Sequence, residues 1–200
     1  MPGTLVLGTA NRKKGLELAD LVRPLGVAVR TLADFPQALA VVEDGTTFEA
    51  NARLKAQQQA RHLSQWVLAD DSGLCVDALG GAPGIYSARF AGPEATDEDN
   101  NRLLLERLAG VPLERRTAHY VCHVTLADPQ GAIQAESEAT CHGRILEQEQ
   151  GSGGFGYDPM FEVIEYHRTF GLLSPAVKAC ISHRARAMRE ILPEIGRLLG

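Results

Sequence analysis

The sequence lacks the features that mark membrane proteins, disulfide-rich secreted domains and zinc proteins. No apolar run approaches the roughly 18 residues that a membrane-spanning helix needs. The four cysteines are widely scattered without a Cys-x-x-Cys pair, which favours buried, reduced thiols over a disulfide framework or a zinc site. The first apolar stretch precedes the first lysines, the reverse of the order in a secretory signal. We therefore expect a cytoplasmic protein without a membrane segment.

An excess of positive charge is also missing. The chain has 25 acidic residues against 20 lysines and arginines, for a net charge of −5, which argues against a broad nucleic-acid-binding surface. A small anionic ligand is not excluded, because a few lysines that converge on one pocket are enough to bind it. The length of 200 residues, 44% of them hydrophobic, suits one domain over 1–200, or one such domain with two lobes around a cleft.

Short apolar strands are mixed with helical segments along the chain, which predicts an α/β fold. The run 118–127, the turn at 128–131 and the run 132–140 predict a hairpin, so strand pairing should be mixed. Further strands are expected over 4–7, 27–32, 66–69 and 161–165. Helices are expected over 14–22 and 46–63, after a capping box at Thr96 and Asp99, from Pro175, and after Ser182, with Pro193 bending or breaking the last one.

The segment 68–92 is the most informative part of the sequence. An apolar run ending at Ala69 delivers two adjacent carboxylates, Asp70 and Asp71, and Ser72 with Gly73 reads as a turn into a glycine-rich loop. Alternation along a strand directs the two carboxylates to opposite sides. Acids in such a place are typical of metal-assisted chemistry on phosphates, although a solvated turn would also use Asp and Ser.

A basic group accompanies these acids. Thr9, Asn11 and Lys14 lie in the loop and helix start after the first strand, and Lys55 lies in the next helix. Hydroxyl, amide and ammonium donors around a helix N-terminus favour an anion, and a polyphosphate needs two or more cations. The loop is not a Walker A motif, because GxxxxGK[ST] is absent. The alternative for each lysine alone is a solvated surface charge.

An acidic group and an aromatic group complete the candidate site. Glu43, with Asp70 and Asp71, offers the hard oxygen ligands that suit Mg²⁺. Phe155 lies among glycines that leave one ring face open, so a flat base can stack there. His119 and His123 are expected on the surface of the sheet rather than in a metal site.

Taken together, these segments resemble the noncanonical purine nucleoside triphosphate pyrophosphatases, the inosine triphosphatase-like or XTP/dITP diphosphatase family. They occur in the order and with the spacing typical of that family, and they span nearly the whole chain. The matching segments are VLGTANRKK (6–14), EDGTTFEANARLKA (43–56), LADDSGLCVDALGGAPGIYSARFAG (68–92), GGFGYDPMF (153–161) and SPAVKACISHRARA (174–187).

The resemblance implies a curved central mixed sheet with flanking helices, a nucleotide in the cleft between two lobes, and a homodimer. It also implies Mg²⁺-dependent hydrolysis of ITP, dITP and XTP to the monophosphate and pyrophosphate, which removes deaminated purines from the nucleotide pool. Asp71 and Lys14 fall on catalytic positions, and Glu43 and Asp71 on metal-linked ones. The substrate-binding positions are Thr9, Ala10, Asn11, Arg12, Lys13, Lys14, Lys55, Ser72, Phe155, Gly156, Tyr157, Asp158, Lys178, His183 and Arg184.

Two residues depart from the family pattern. Ala50 stands where a glutamate usually precedes Asn51, and Glu49 is no simple substitute because it is displaced about 100° around a helix. Ala10 stands where the first loop commonly has glycine, and it tolerates less backbone freedom. Both changes are expected to tune the rate rather than to change the reaction.

Other functions remain open from the sequence. The nearest is pyrophosphohydrolysis of another nucleotide, such as dUTP or a modified pyrimidine nucleotide. A non-catalytic nucleotide-binding module is a second alternative, with Ala50 as the feature that favours it. A purely structural domain explains none of the three groups. Donors near His183 and Arg184 are expected to recognise the 6-oxo group of the base.

Overall fold

The computed structural model describes residues 4–200, and within that range the chain forms seven β-strands and five α-helices. None of these helices is long and apolar enough to cross a membrane. The strands are β1 (Thr4–Leu7), β2 (Ala28–Thr31), β3 (Trp66–Val76), β4 (Thr117–Ala127), β5 (Ile133–Ile145), β6 (Phe161–Val163) and β7 (Arg168–Thr169). The helices are α1 (Arg12–Val22), α2 (Phe48–Leu63), α3 (Asp97–Arg107), α4 (Pro175–Ile181) and α5 (His183–Leu199).

The strands form one sheet in the order β2-β1-β3-β4-β5-β6-β7. Strand β1 pairs in parallel with β2 and β3, whereas β6 pairs antiparallel with β5 and β7. The predicted α/β class with a mixed sheet is therefore confirmed. Strands β4 and β5 are neighbours joined through residues 128–131, where the N–H of Gly131 donates to the carbonyl of Asp128. The predicted hairpin is thus present.

Three helices begin at the residue predicted from local capping signals or within two residues of it. Asn11 caps α1 by accepting from the N–H groups of Lys13 and Lys14. Thr96 and Asp99 form a complete capping box at the start of α3. Ser174 caps α4, with proline at its first position. Each cap satisfies backbone N–H groups that a helix N-terminus otherwise leaves without partners.

Three expectations from the sequence are wrong in detail. Ser72 and Gly73 do not form a turn, because β3 continues through them to Val76. Pro193 lies inside α5 and does not break it, whereas the alternative of a bend stays a prediction. His123 is buried rather than on the sheet surface, and its ring nitrogens contact the carboxylates of Glu136 and Glu138.

The described residues divide into two compact units. The first comprises residues 4–71, 122–139 and 184–200. Its larger core packs α1 and α5 against apolar residues of β1, β3 and β4, including Leu5, Leu68 and Val124. A second core packs the alanines of α2 against Val6 and Val67. These buried residues fix β1 and the first half of β3, and with them the start of the loop that follows β1.

The second unit comprises residues 72–121 and 140–183. Its core combines Leu104 of α3 and Leu108, directly after that helix, with aromatic residues. The rings of Tyr120 and Phe170 lie 4.7 and 5.4 Å, centroid to centroid, from the ring of Phe161. Aromatic packing of this kind buries a large apolar area with defined geometry, so it gives the second unit a rigid frame. The predicted two-lobed domain and its cleft stay predictions.

Candidate active site

In the first unit, β1 delivers the loop of residues 8–11 to the start of α1. Gly8 approaches β3 so closely that a β-carbon there would lie 2.8 Å from the Val67 side chain. The hydroxyl of Thr9 accepts from the N–H of Asn11, and Asn11 caps the helix. The predicted binding residues Ala10, Arg12 and Lys13 are exposed beside them. The loop thus offers hydroxyl, amide and cationic groups at a helix N-terminus, a favourable place for an anion.

Lys55 joins the two predicted metal-linked carboxylates of the first unit. Its ammonium lies 2.8 Å from Asp71 Oδ1 and 3.3 Å from Glu43 Oε2. The side chain of Lys55 is 12% exposed and that of Asp71 is 7% exposed. Glu43 comes from the loop before α2, Lys55 from α2 and Asp71 from β3, so three separate segments converge on one point.

Asn51 belongs to the same group, and the sequence analysis did not assign it a role. It is fully buried, its Nδ2 donates to Asp71 Oδ2 over 3.3 Å, and its Oδ1 accepts from the N–H of Gly45. Asn51 therefore orients Asp71 and fixes the loop that carries Glu43. The signal that would have found it is its spacing, since residues 51 and 55 share one face of α2.

Asp70, the neighbour of Asp71, contacts a different set of cations. Its Oδ2 accepts from two guanidinium nitrogens of Arg184, at 3.1 and 3.2 Å, and lies 3.8 Å from Lys14 Nζ. Arg184 also donates to Glu17 of α1 over 2.5 Å. This separation of partners agrees with the expected alternation of the two carboxylates along β3. We call Lys14, Glu43, Lys55, Asp70, Asp71 and Arg184 the charged cluster.

The two neighbouring carboxyls of the charged cluster have opposite pKa shifts. Burial disfavours the charge of Asp70, but Lys14, Arg184 and Lys55 outweigh it and hold its pKa well below the usual range. Burial raises the pKa of Asp71, and the ammonium of Lys55 offsets only part of that effect. Asp70 is therefore a fixed anion, whereas Asp71 is the more basic of the two.

Residues of the charged cluster fit a magnesium ion. Glu43 and Asp71 already surround one cationic group, the ammonium of Lys55, so both carboxylates point toward a common region. Within residues 4–200, no group of three or more His, Cys, Asp or Glu side chains is arranged to hold a metal. A pair of carboxylates is the donor set expected for Mg²⁺ that takes its remaining ligands from water and substrate phosphates.

The departure at Ala50 leaves the charged cluster without an extra acid. Glu49 does not replace the missing carboxylate, because it pairs with Arg53, 2.6 Å away along the surface of α2. Ala50 instead packs near Gly45: a β-carbon added to Gly45 would lie 2.8 Å from the β-carbon of Ala50. Glu43 and Asp71 are thus the acids that remain for a metal at this point of the cluster.

An apolar cavity of about 720 Å³ borders the same loop in the first unit. Thr9, Ala10 and Asn11 form one of its walls, and mostly apolar residues of the segment 31–40 form another. Lys14, Lys55 and Asp71 are not among its lining residues. The cavity is therefore distinct from the charged cluster.

In the second unit, the glycine-rich segment of residues 153–158, here called the aromatic loop, carries the predicted base-binding residues. Asp158 Oδ2 accepts from the N–H of Phe155 over 2.9 Å and from Lys178 Nζ over 2.6 Å. The same ammonium lies 4.6 Å from the centroid of the Phe155 ring. A β-carbon on Gly154 would lie 2.0 Å from Asp158 Oδ2, so only glycine fits there. The sequence-predicted residues Phe155, Asp158 and Lys178 thus form one group.

The other predicted residues of the second unit have different contacts. Tyr157 is buried, and its hydroxyl donates to the carbonyl of Ser87. The ring of His183 stacks on Tyr120 at 4.6 Å and an interplanar angle of 9°. A stacked imidazole forms hydrogen bonds in its own plane, at its edge. Ser72 lies half-buried on β3.

Comparisons with known proteins find relatives that match nearly the whole chain. The Ham1 family model matches residues 5–194. A dITP/XTP pyrophosphatase of Rhodopirellula baltica is 51% identical over 195 residues, covering 98% of this chain and 94% of that protein. Another, from an Exiguobacterium species, is 50% identical and covers 96% of each chain.

Solved structures with the same fold include two Ham1 proteins. The one from Coxiella burnetii has a TM-score of 0.87 and 34% identity, covering 97% of this chain and 98% of that one. The Staphylococcus aureus Ham1 protein has a TM-score of 0.85 and 35% identity, covering 96% and 97%. Family model, sequence relatives and solved structures all cover nearly the whole chain, which therefore belongs to the Ham1 family.

Proposed function

We propose that the chain is a nucleoside triphosphate pyrophosphohydrolase that converts ITP, dITP and XTP to the monophosphate and pyrophosphate. The observation that carries the proposal is the charged cluster, in which the ammonium groups of Lys14 and Lys55 contact two neighbouring carboxylates with opposite pKa shifts. The substrate class is supported by relatives about 50% identical over nearly their full length that are named dITP/XTP pyrophosphatases.

Lys14 and Lys55 bind the triphosphate in this mechanism. Their side chains are 18% and 12% exposed, so both ammonium groups are largely shielded from water. Acidic neighbours keep Lys55 charged: burial lowers its pKa, but Asp71, Asp70 and Glu43 outweigh that effect and raise the pKa above its ordinary value. Charges held in place in a shielded site stabilise a developing negative charge more strongly than charges in water.

Asp71 acts as the base that takes a proton from the attacking water. Its raised pKa makes it a better acceptor than an ordinary surface carboxylate, and Asn51 and Lys55 fix its two oxygens. The phosphoanhydride bond between the α- and β-phosphates breaks, a new bond forms from the water oxygen to phosphorus, and pyrophosphate leaves. Glu43 and Asp71 would hold Mg²⁺, which supplies Lewis-acid charge to the phosphate oxygens.

The second unit recognises the base in this proposal. Phe155 offers a ring face for stacking, and Lys178 and His183 offer donors to the 6-oxo group of hypoxanthine or xanthine. Adenine presents an amino group at that position, so ATP would leave a buried donor unpaired at a cost of about 1–3 kcal/mol per lost bond. Arg184, expected to contact the base, has a structural role in this proposal, since its guanidinium is bound to Asp70 and Glu17.

The proposal extends to the state of the protein in the cell. The implied form is a cytoplasmic homodimer that binds small-molecule nucleotides and neither nucleic acid nor membranes. The net charge of −5 and the scattered cysteines support this part of the proposal.

The test is pyrophosphate release from ITP, XTP, dITP, ATP, GTP and dUTP, each with Mg²⁺ and with EDTA. Fast release that EDTA abolishes and that is confined to inosine and xanthosine nucleotides is the expected result. Preferred release from dUTP would keep the charged cluster as the reaction centre and overturn the base assignment. Binding of ITP without release of pyrophosphate from any substrate would overturn the enzymatic function in favour of a binding module.

A further inference from the structure

Helix α3 holds one residue of the aromatic loop, Gly156, through both of its backbone polar groups. The N–H of Gly156 donates to Asp97 Oδ2 over 2.9 Å. Its carbonyl accepts from Asn101 Nδ2 over 3.3 Å, and the same Nδ2 donates to Glu149 Oε1 over 2.9 Å. Asp97 and Asn101 are four residues apart, so they lie on one face of the helix, one turn from each other.

Gly156 is a point where the aromatic loop needs such support. Its φ is +58°, a left-handed conformation that glycine adopts freely, and glycine loses the most conformational freedom on ordering. Its N–H belongs to the peptide that follows Phe155, and its carbonyl belongs to the peptide that precedes Tyr157. Fixing both groups therefore fixes the two peptide planes from which these aromatic side chains extend.

Asn101 lowers the stability of the fold in a way that a purely structural position would avoid. It is 5% exposed on a helix whose neighbouring buried residues include Leu104 and Leu108. Its Oδ1 is buried and has no hydrogen-bond partner among residues 4–200. A buried polar atom without a partner lowers stability, and an apolar residue of similar size would avoid that loss. The position retains an asparagine whose amide nitrogen bonds to the aromatic loop.

From these contacts we propose that Asp97 and Asn101 are positioning residues that hold the aromatic loop in its base-binding conformation. The inference rests on the proposed function, because it assigns the loop to the base of the nucleotide. The two residues touch neither the base nor the phosphates in this proposal. They act through Gly156 on Phe155, whose ring stacks on the base.

Helix α3 offers two matched controls. Glu98 is an exposed acid next to Asp97 in the first turn, so it shares any effect of the helix dipole without contacting Gly156. Asn100 is as buried as Asn101, but it bonds to the carbonyl of Ala88 and the N–H of Ala91 instead. Asn100→Ala therefore reproduces the loss of a buried amide on α3 without releasing the aromatic loop.

The experiment measures binding of two product-like ligands to the full-length protein by calorimetry, alongside thermal unfolding. IMP carries the base, and pyrophosphate does not. Asp97→Ala and Asn101→Ala are each expected to weaken IMP binding roughly tenfold, as expected for a lost hydrogen bond, with pyrophosphate affinity unchanged. Asp97→Asn, which keeps an acceptor for the N–H of Gly156, should restore most of the IMP affinity. Glu98→Gln and Asn100→Ala should leave IMP affinity unchanged, although Asn100→Ala lowers the unfolding temperature.

Each contrary result has one meaning. If Asp97→Ala and Asn101→Ala bind IMP as the wild type does, the inference is overturned and the proposed function stands. If they lose IMP and pyrophosphate binding in parallel with stability, the residues are merely structural and the inference is again overturned. If the wild-type protein itself does not bind IMP, the base assignment in the proposed function fails, and the inference fails with it.

Discussion

The charged cluster of the first unit and the aromatic loop of the second are positioned by different forces. In the charged cluster, side chains hold one another by ion pairs, as Lys55 does with Asp71 and Arg184 does with Asp70. In the aromatic loop, backbone groups are held by helix α3 and by Asp158, and the Tyr157 ring by the core of the second unit. The difference suits the proposed ligands, since phosphates are recognised by charge and a base by the shape and hydrogen-bonding edge of a flat ring.

A second contrast lies within the charged cluster itself. Asp70 and Asp71 are adjacent in sequence, and both are at least nineteen-twentieths buried, being 1% and 5% exposed. Asp70 is bound by the buried guanidinium of Arg184, whereas Asp71 shares the ammonium of Lys55 with Glu43. The same residue type therefore has a structural role at one position and a chemical role at the next.

The largest expected effect comes from removing the carboxylate of Asp71, the proposed general base. Asp71→Asn should lower kcat for ITP about 10³-fold, within the 10²–10⁴ range of general base catalysis. Nucleotide binding should largely survive, because Lys14 and Lys55 remain. Pyrophosphate release and calorimetric binding of ITP measure the two quantities separately. A variant that turns over ITP at the wild-type rate would remove Asp71 from the catalytic role.

The neighbouring substitution should act on stability instead. Asp70→Asn leaves the buried guanidinium of Arg184 with Glu17 as its remaining carboxylate, and breaking a buried ion pair costs about 3–5 kcal/mol. Asp71→Asn should cost less, because burial already disfavours the ionised form of that carboxyl. Urea unfolding of both variants at neutral pH gives the comparison. Equal losses in the two variants would contradict the division of roles between Asp70 and Asp71.

Much of the fold follows from signals that are local in sequence. The capping box of Thr96 and Asp99 and the Ser174–Pro175 helix start need only four residues to specify a helix end, and both were predicted correctly. The end of β3 was predicted wrongly because Ser72 and Gly73 are ordinary turn residues. Their strand conformation depends on sheet partners elsewhere in the chain. Likewise, α5 continues past Pro193 because Ile191 and Ile195 pack in the core of the first unit.

The candidate site could be predicted for side chains with distinctive chemistry and not for those that support them. Lys55 and Asp71 were recognised from their residue type and spacing, and the structure brings them together. Asn51, Asp97 and Asn101 were missed because asparagines and aspartates on helices are common. The contacts that reveal their roles join residues far apart in the sequence: Asn51 with Asp71, and Asp97 and Asn101 with Gly156. Supporting contacts of this kind become visible only once the fold is known.

In the aromatic loop, the expected effect is on binding rather than on chemistry. Phe155→Ala should raise the KM for ITP roughly tenfold or more, because stacking of a base on an aromatic ring contributes about 1–3 kcal/mol. Inhibition by pyrophosphate should not change, since that ligand has no base. Phe155→Tyr keeps the ring and serves as the control. Loss of pyrophosphate inhibition together with the rise in KM would show that the effect is not specific to the base.

The smallest expected effect is a difference in how stability depends on pH. The folded protein holds the pKa of Asp70 well below the ordinary value of about 3.9, so the ionised carboxylate stabilises the fold fully above that pH. This contribution is lost as the pH falls from there toward the folded pKa. The wild type should therefore lose stability in acid more steeply than Asp70→Asn. The difference between their free energies of unfolding should narrow below about pH 4. Glu136, whose pKa is lowered to about 2, titrates in both proteins and does not affect the difference. Urea midpoints measured from pH 7 to pH 3 would test this, and parallel curves would mean that Asp70 is not the fixed anion of the cluster.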